Sequence, residues 1–253
     1  MTETRFNQQE VPYDTLAKFG LTQEMLEDLP GEVYQDMLNG RRTPLLPISF
    51  IDDEGNEVLS RTRFMLVRKD DKTVDVMFYP QLKATELSYF TPEEKKALLN
   101  KQAIIAPMKD GHGNEIPAFH QIDLATNQIL SVPTPVIGRN LQVISDELHL
   151  TNGELTCLQK GMPISIVDGD DIMHTIGIDL NEKTGVRFTE GNEKKWKEEM
   201  FKTFDKYNFG LNGCWVTDET GNLDYVPEDN YNQEMWEEQA KIIERRSRAA
   251  MKM

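Results

Sequence analysis

Cysteine is scarce. The 253 residues hold two, Cys157 and Cys214, far apart and outside any CxxC or Cys/His spacing, so neither a disulfide framework nor a zinc module is indicated and both read as small buried hydrophobes. Long apolar runs are missing as well. The longest, around "PLLPISFI", is too short to span a bilayer, and the opening "MTETRFNQQE" has no apolar core of the kind a secretion signal needs; a cytoplasmic location with no membrane partner is expected. Positive charge is in deficit: 28 Lys and Arg against 43 Asp and Glu leave a net charge of −15, so the surface on average repels phosphate backbones and anionic lipid. Histidine occurs four times, and no Walker A loop, GxGxxG after a strand, GxSxG elbow or HExxH occurs. No catalytic residue, cofactor or metal is assigned, and the chain is read as non-enzymatic.

What the chain has is internal repetition. "TPEEKKALLNKQAII" from Thr91 and "TNGELTCLQKGMPIS" from Thr151 place Leu98 over Leu158 and Ile104 over Ile164. Both open with a capping box, Thr91 with Glu94 and Thr151 with Glu154, in which hydroxyl and carboxylate satisfy amides left free in the first helical turn; Pro92 at the first helical position strengthens one of them. Further on, Ile122-Asp123-Leu124 matches Ile178-Asp179-Leu180. An earlier segment carries the plan more faintly, its Gly55-Asn56-Glu57-Val58 echoing Gly113-Asn114-Glu115-Ile116, and a last echo runs through Gly221-Asn222. Each unit reads as a short helix and three strands joined by Gly/Asp/Asn-rich turns. The fold class is therefore α+β: a helical head over 1–40, αβββ units over 30–90, 91–150 and 151–191, and a partial unit plus C-terminal helix over 192–253. Repeats of this kind expose similar surfaces in a row, a geometry suited to binding.

The stretch "KDGHGNEIPAFHQIDL", residues 109–124, concentrates histidines and carboxylates and invites a metal or acid–base reading. Superposing the repeats removes it. Asp110 to Asn114 fall at a hairpin turn whose counterpart is "DGDD", 168–171, where Gly, Asn and Asp suit the positive φ of tight turns. His120 lies over Ile176 and His174 over Ala118, so no histidine recurs, and a histidine on a mainly apolar strand face is expected to be hydrogen-bonded and half-buried. The aspartates at 168, 170 and 171 lack the spaced ligands and terminal Glu of a calcium loop.

Two features lie outside the repeats' own logic. The head supplies an apolar face from Leu16, Phe19, Leu21, Met25, Leu29, Val33 and Met37, and is followed by Arg41 and Arg42 just past a helix end, where cations complement the macrodipole. The C-terminal helix "NYNQEMWEEQAKIIERRSRAAMKM" is acidic early and basic late, and its Lys241, Arg245, Arg246, Arg248 and Lys252 form the one pronounced basic cluster. Arg41, Arg42, Arg245, Arg246 and Arg248 are the candidate anion or partner contacts.

The head, "VPYDTLAKFGLTQEMLEDLPGEVYQDMLNGRRTPLLPI", and the recurring "LxxGxxI … IDLxT" pattern resemble two uncharacterised bacterial domain families carried together on conjugative elements of gut anaerobes, the second also appended to some type IA DNA topoisomerases. Lys101 departs from the pattern, standing where Gly40 and Gly161 hold glycine. The resemblance implies an accessory protein of a mobile element and carries no catalytic residue. The leading expectation is a protein-interaction module whose acidic repeat surface favours basic protein partners. A nucleic-acid-associated accessory factor using the arginines is a second reading, opposed by net charge, and acidic mimicry of DNA to inhibit a host enzyme is a third.

Overall fold

The computed structural model of the chain describes residues 4–198 and 204–250, the side chains of 246 and 248–250 excepted. In chain order, a 3-10 turn leads into α1 (Tyr13–Ala17), α2 (Gln23–Glu27) and α3 (Gly31–Leu38), then β1 (Leu46–Ile51), β2 (Glu57–Arg68) and β3 (Val74–Pro80). Next come α4 (Pro92–Leu99), β4 (Ile104–Lys109), β5 (Glu115–Asp123), β6 (Gln128–Pro133), α5 (Thr134–Leu148), α6 (Asn152–Gln159), β7 (Ile164–Val167), β8 (Met173–Ile178) and β9 (Val186–Glu190). The described chain ends with α7 (Glu193–Glu198), β10 (Tyr207–Phe209), β11 (Gly213–Thr217), β12 (Leu223–Pro227) and α8 (Gln233–Ala250). The protein is α+β, with a helical N-terminal region, small three-stranded antiparallel sheets and a C-terminal helix. Among the described residues no helix is long and apolar enough to cross a membrane.

Local chemistry sets the starts of α4 and α6 and the ends of α3, α4 and α6. Thr91 and Thr151 accept from Glu94 N and Glu154 N at 3.3 Å while each Glu reaches back to the threonine amide, so both capping boxes form. At the far ends, α3, α4 and α6 close alike, with amide-to-carbonyl bonds from Arg41 to Asp36, Gln102 to Ala97 and Met162 to Cys157. That closure needs a left-handed residue. Gly40 and Gly161 supply it at φ 70° and 79°, and Lys101 adopts it at φ 63° without a glycine's freedom.

The chain divides into two compact units, residues 1–81 with 202–253, and residues 82–201. The first and last sheets therefore share one unit, and the second and third share the other. Sequence similarity reports what each repeat is, and not which repeats bury their apolar faces together.

In the first unit, Phe64 and Leu66 of β2 lie fully buried under Leu16, Leu21, Leu26, Val33 and Met37 of the head. Gly20 lets the head sit down on β1: a Cβ there would stand 2.7 Å from the Ser49 hydroxyl, and Ser49 N donates to Phe19 O. The same core is completed by Trp215 on β11 and Leu223 on β12, both fully buried, with Trp215 Nε1 donating to Met25 O at 2.8 Å. Leu223 N donates to Leu45 O, and Arg61 on β2 meets both Asp224 oxygens at 2.6 and 2.7 Å. β10 joins β11 on the side away from β12, so the turn holding Gly221-Asn222 connects the second and third strands of this sheet, where the other sheets carry it between the first and second.

In the second unit, residues 118–123 of β5 are buried throughout, on both faces of the sheet. Ile104, Ala106 and Ile122 pack with Leu98 of α4, whereas Phe119 packs with Ile176 and Ile178 of β8 and with Ile137 and Leu141 of α5. Gln121, fully buried, bridges the two sheets: its Nε2 donates to Ile178 O at 3.2 Å and its Oε1 accepts from Leu180 N at 2.8 Å. The Gly161 backbone comes so close to Ala103 that a Cβ would lie 2.5 Å from its carbonyl oxygen. A buried ion pair, Arg187 Nε to Asp179 Oδ2 at 2.9 Å, closes the end of β9 beneath the Trp196 ring.

Candidate functional site

At each hairpin end one aspartate of the acidic cluster is committed to holding the turn. Asp52, Asp110, Asp168 and Asp218 each open a turn in which Oδ1 accepts the amides two and four residues on, at 2.8–3.0 Å. In three turns the Oδ2 atom also takes the side-chain amide of Asn56, Asn114 or Asn222. The third repeat has Ile172 at that place, and His174 Nε2 reaches Asp168 Oδ2 at 2.7 Å instead. Hydrogen bonds hold all four carboxyls below the usual range: from Asn56 to Asp52, from Asn114 to Asp110 and from His174 to Asp168. At Asp218 partial burial pulls the other way and the Thr220 and Asn222 bonds prevail.

Two of the four histidines, His120 and His174, have their rings held by hydrogen bonds. His112 sits in its turn with its amide on Asp110, while His120 is more deeply buried than its strand face suggested, at 5% exposure. Its Nε2 lies 3.1 Å from Ala106 O and its Nδ1 lies 2.8 Å from Ser131 Oγ, and burial pushes its pKa down. His174 stacks on Phe188 at 4.7 Å. Cys214 is buried, which pushes its thiol up to about 11, and Cys157 is half-buried. Among the described residues no three His, Cys, Asp or Glu side chains stand together as a set that could hold a metal ion.

The arginines singled out from the sequence have separate surroundings. Arg41 turns back to Asp36 at 2.5 Å, and Arg42 lies over the Tyr79 ring at 4.5 Å. Arg245 lines a groove on α8, and the side chains of Arg246 and Arg248 lie outside the described residues.

That groove belongs to the first unit and has a volume of about 910 Å³. One wall is α8 from Gln239 to Arg245, another the end of α2 and start of α3, and the floor is the chain from Phe204 to Leu211. Asp28 anchors the floor. Its buried carboxylate accepts from Leu211 N at 2.6 Å, Asn212 N at 2.9 Å and the Tyr225 hydroxyl at 2.7 Å. Gly210 is the only residue type that fits against it, since a Cβ would fall 2.2 Å from the carboxyl carbon. No local pattern marks this clamp, whose partners lie more than 180 residues apart.

A second surface feature recurs at the hairpin ends. Ile51 and Leu59 flank the turn of Asp52, Asp53 and Glu54 at 66% and 76% exposure, and Val167, Ile172 and Met173 flank the turn of Asp168, Asp170 and Asp171 at 58%, 40% and 43%. Isolated exposed aliphatics are ordinary. Groups of them set beside acidic turns, twice in equivalent places, are less so.

Residues 6–89 match the model of a family described as a protein of unknown function (DUF4099). The matched span holds the head, the first αβββ unit and the chain leading to α4, and stops short of Trp215 and Leu223, which complete its core. No curated protein matches the chain.

Proposed function

We propose that this chain is a non-enzymatic accessory protein of a conjugative element, cytoplasmic, that works as a protein-interaction module through its acidic repeat surface. The observation that carries the reading is the recurrence of acidic hairpin ends with exposed aliphatic side chains at the first and third sheets. One carboxylate in each turn, Asp52 or Asp168, is spent on turn geometry, which makes the ends rigid. Rigid, acidic and apolar ends suit a partner that presents basic and apolar groups together, because charge steers encounter and apolar burial supplies affinity. The accessory context comes from the resemblance of the head and repeats to domains of mobile elements; the family matched over residues 6–89 is one of unknown function.

The test is partner capture from lysate of a cell carrying the element, using the intact chain and a variant with Leu59→Ser and Val167→Ser. Loss of a salt-sensitive partner from the variant is the expected result. Filter binding of duplex and single-stranded DNA at two salt concentrations runs beside it, with and without Arg245, Arg246 and Arg248 changed to Gln. Tight retention that falls steeply with salt and disappears in the triple variant would replace the protein-interaction reading by a nucleic-acid one.

A further inference from the structure

We propose that the groove of the first unit, between α8 and the end of α2, is the docking site for a cationic amphipathic segment of a partner protein; this rests on the interaction-module reading and gives it a place and a partner chemistry. The lining mixes polar and apolar groups in about equal measure, and its apolar members are well exposed: Leu211 stands 92% exposed and Ile243 58%, with Phe209 and Ile242 beside them. In the same lining stand Glu27, Glu32 and Asp205. Glu32 and Asp205 are exposed, and Glu27 holds only the amides of Gln8 and Gln23. Asp28 adds little outward charge, because three donors already share its carboxylate.

The volume of about 910 Å³ is near the top of the range for small-molecule pockets. The chemistry differs from such pockets, however. A small-ligand site converges a few polar groups on an enclosed apolar cavity, whereas this groove is open and sets exposed apolar side chains, Leu211 and Ile243, among the carboxylates of Glu27, Glu32 and Asp205. This is the pattern that receives the apolar face of an amphipathic segment while its flanking cations meet the rim. The Asp28 bonds to the Leu211 and Asn212 amides fix the backbone of the exposed turn that presents Leu211, so little backbone freedom is lost on contact. Among the described side chains of the lining, the three carboxylates of Glu27, Glu32 and Asp205 outnumber Arg245, the one cation, so a cationic segment is favoured over an anionic one.

The probes are a synthetic Lys/Leu amphipathic helix peptide, its Glu/Leu counterpart and a scrambled Lys/Leu peptide, followed by fluorescence anisotropy with the full chain. Because the whole chain is acidic, the deciding comparison is between two variants of equal charge: Glu32→Lys with Asp205→Lys at the rim, and Glu115→Lys with Glu147→Lys in the other unit, all four positions exposed. The expected result is binding of the amphipathic cationic peptide alone, weakened about tenfold or more by the rim pair and by Leu211→Ser, and changed less than about threefold by the distant pair. Equal weakening by both charge pairs, or no effect of Leu211→Ser, overturns the groove as the site. Absence of binding overturns it as well. Sedimentation of the unmodified chain as a dimer that Leu211→Ser converts to monomer overturns it in favour of a second copy as occupant. If the groove fails while Leu59→Ser with Val167→Ser still abolishes partner capture, the interaction-module reading stands without it; if both fail, neither stands.

Discussion

Replacing Asp28 with alanine removes a carboxylate that accepts hydrogen bonds from Leu211 N at 2.6 Å, Asn212 N at 2.9 Å and the Tyr225 hydroxyl at 2.7 Å. Hydrogen bonds to a charged group contribute about 1.5–3 kcal/mol each, which sets an upper bound of roughly 4.5–9 kcal/mol for three. Two effects reduce it. Leu211 and Asn212 lie in an exposed turn, so their freed amides regain water, and removing the carboxylate also removes the cost of having buried a charge. A net loss of about 3–4 kcal/mol is expected, against about 1–2 kcal/mol for Tyr225→Phe, which deletes one bond. The double variant should cost at most about 0.5 kcal/mol more than Asp28→Ala, because the bond that both changes remove is counted once. The assay is urea unfolding followed by tryptophan emission in a Trp196→Phe background, where the remaining Trp215 and Trp236 both report on the first unit. A loss below about 1 kcal/mol, or additive single changes, refutes the clamp as what closes this core.

Lys101→Gly should stabilise the second unit by about 0.5–1 kcal/mol by relieving a left-handed lysine, whereas Gly161→Ala should destabilise it by about 2 kcal/mol or more through the Ala103 contact and strain together; thermal melts that rank these the other way would contradict the shared helix closure. His120 is buried with a lowered pKa, so the unfolded chain binds its proton first as pH falls. Its share of stability is complete above about 6.5 and is lost as pH drops from there through the lower folded value. His120→Ile, the residue found at the matching place in the next repeat, should flatten stability measured between pH 7.5 and pH 5.5, and an unchanged slope would assign the acid sensitivity elsewhere. A thiol reagent near neutral pH should modify Cys157 in the native chain and reach Cys214 only after unfolding, since burial both shields Cys214 and raises its thiol to about 11; simultaneous modification of both would mean the β11 core opens readily.

The repeats, the capping boxes and the hairpin turns were legible because each is written in residues a few positions apart. Thr91 with Glu94, Asp110 with Asn114 and the αL closures at Gly40 and Gly161 are local bonds between near neighbours. Even Lys101, which breaks the glycine pattern, takes the conformation the pattern demands. The helix α5 falls outside the repeat plan, which has no helix between a third strand and the next cap, although Ile137, Leu141 and Ile144 recur along it at helical spacing. The partition into units was not legible at all. It depends on Asp28 finding a turn 183 residues away and on Gln121 pairing with a strand 57 to 59 residues on, contacts that leave no periodicity behind. The groove followed the same rule: Leu211 and Glu32 belong to one surface only because Asp28 brings their segments together.

The division of the first unit into 1–81 and 202–253 has a consequence for how the chain is made. A ribosome adding about 5–20 residues per second needs roughly 7–30 s after delivering Gln81 before it delivers Pro227, the end of β12. Through that interval Phe64, Leu66 and Leu26 are already synthesised while Trp215 and Leu223, their covering side chains, do not yet exist. Residues 82–201 have all their own core partners as soon as they emerge, so the segment made second is the first able to finish. The N-terminal unit must meanwhile wait with an unroofed apolar surface, the state most exposed to aggregation and to chaperone capture. Slowing translation after Gln81 should therefore lower the yield of folded protein, and a circular permutant that starts at residue 202 should escape the delay.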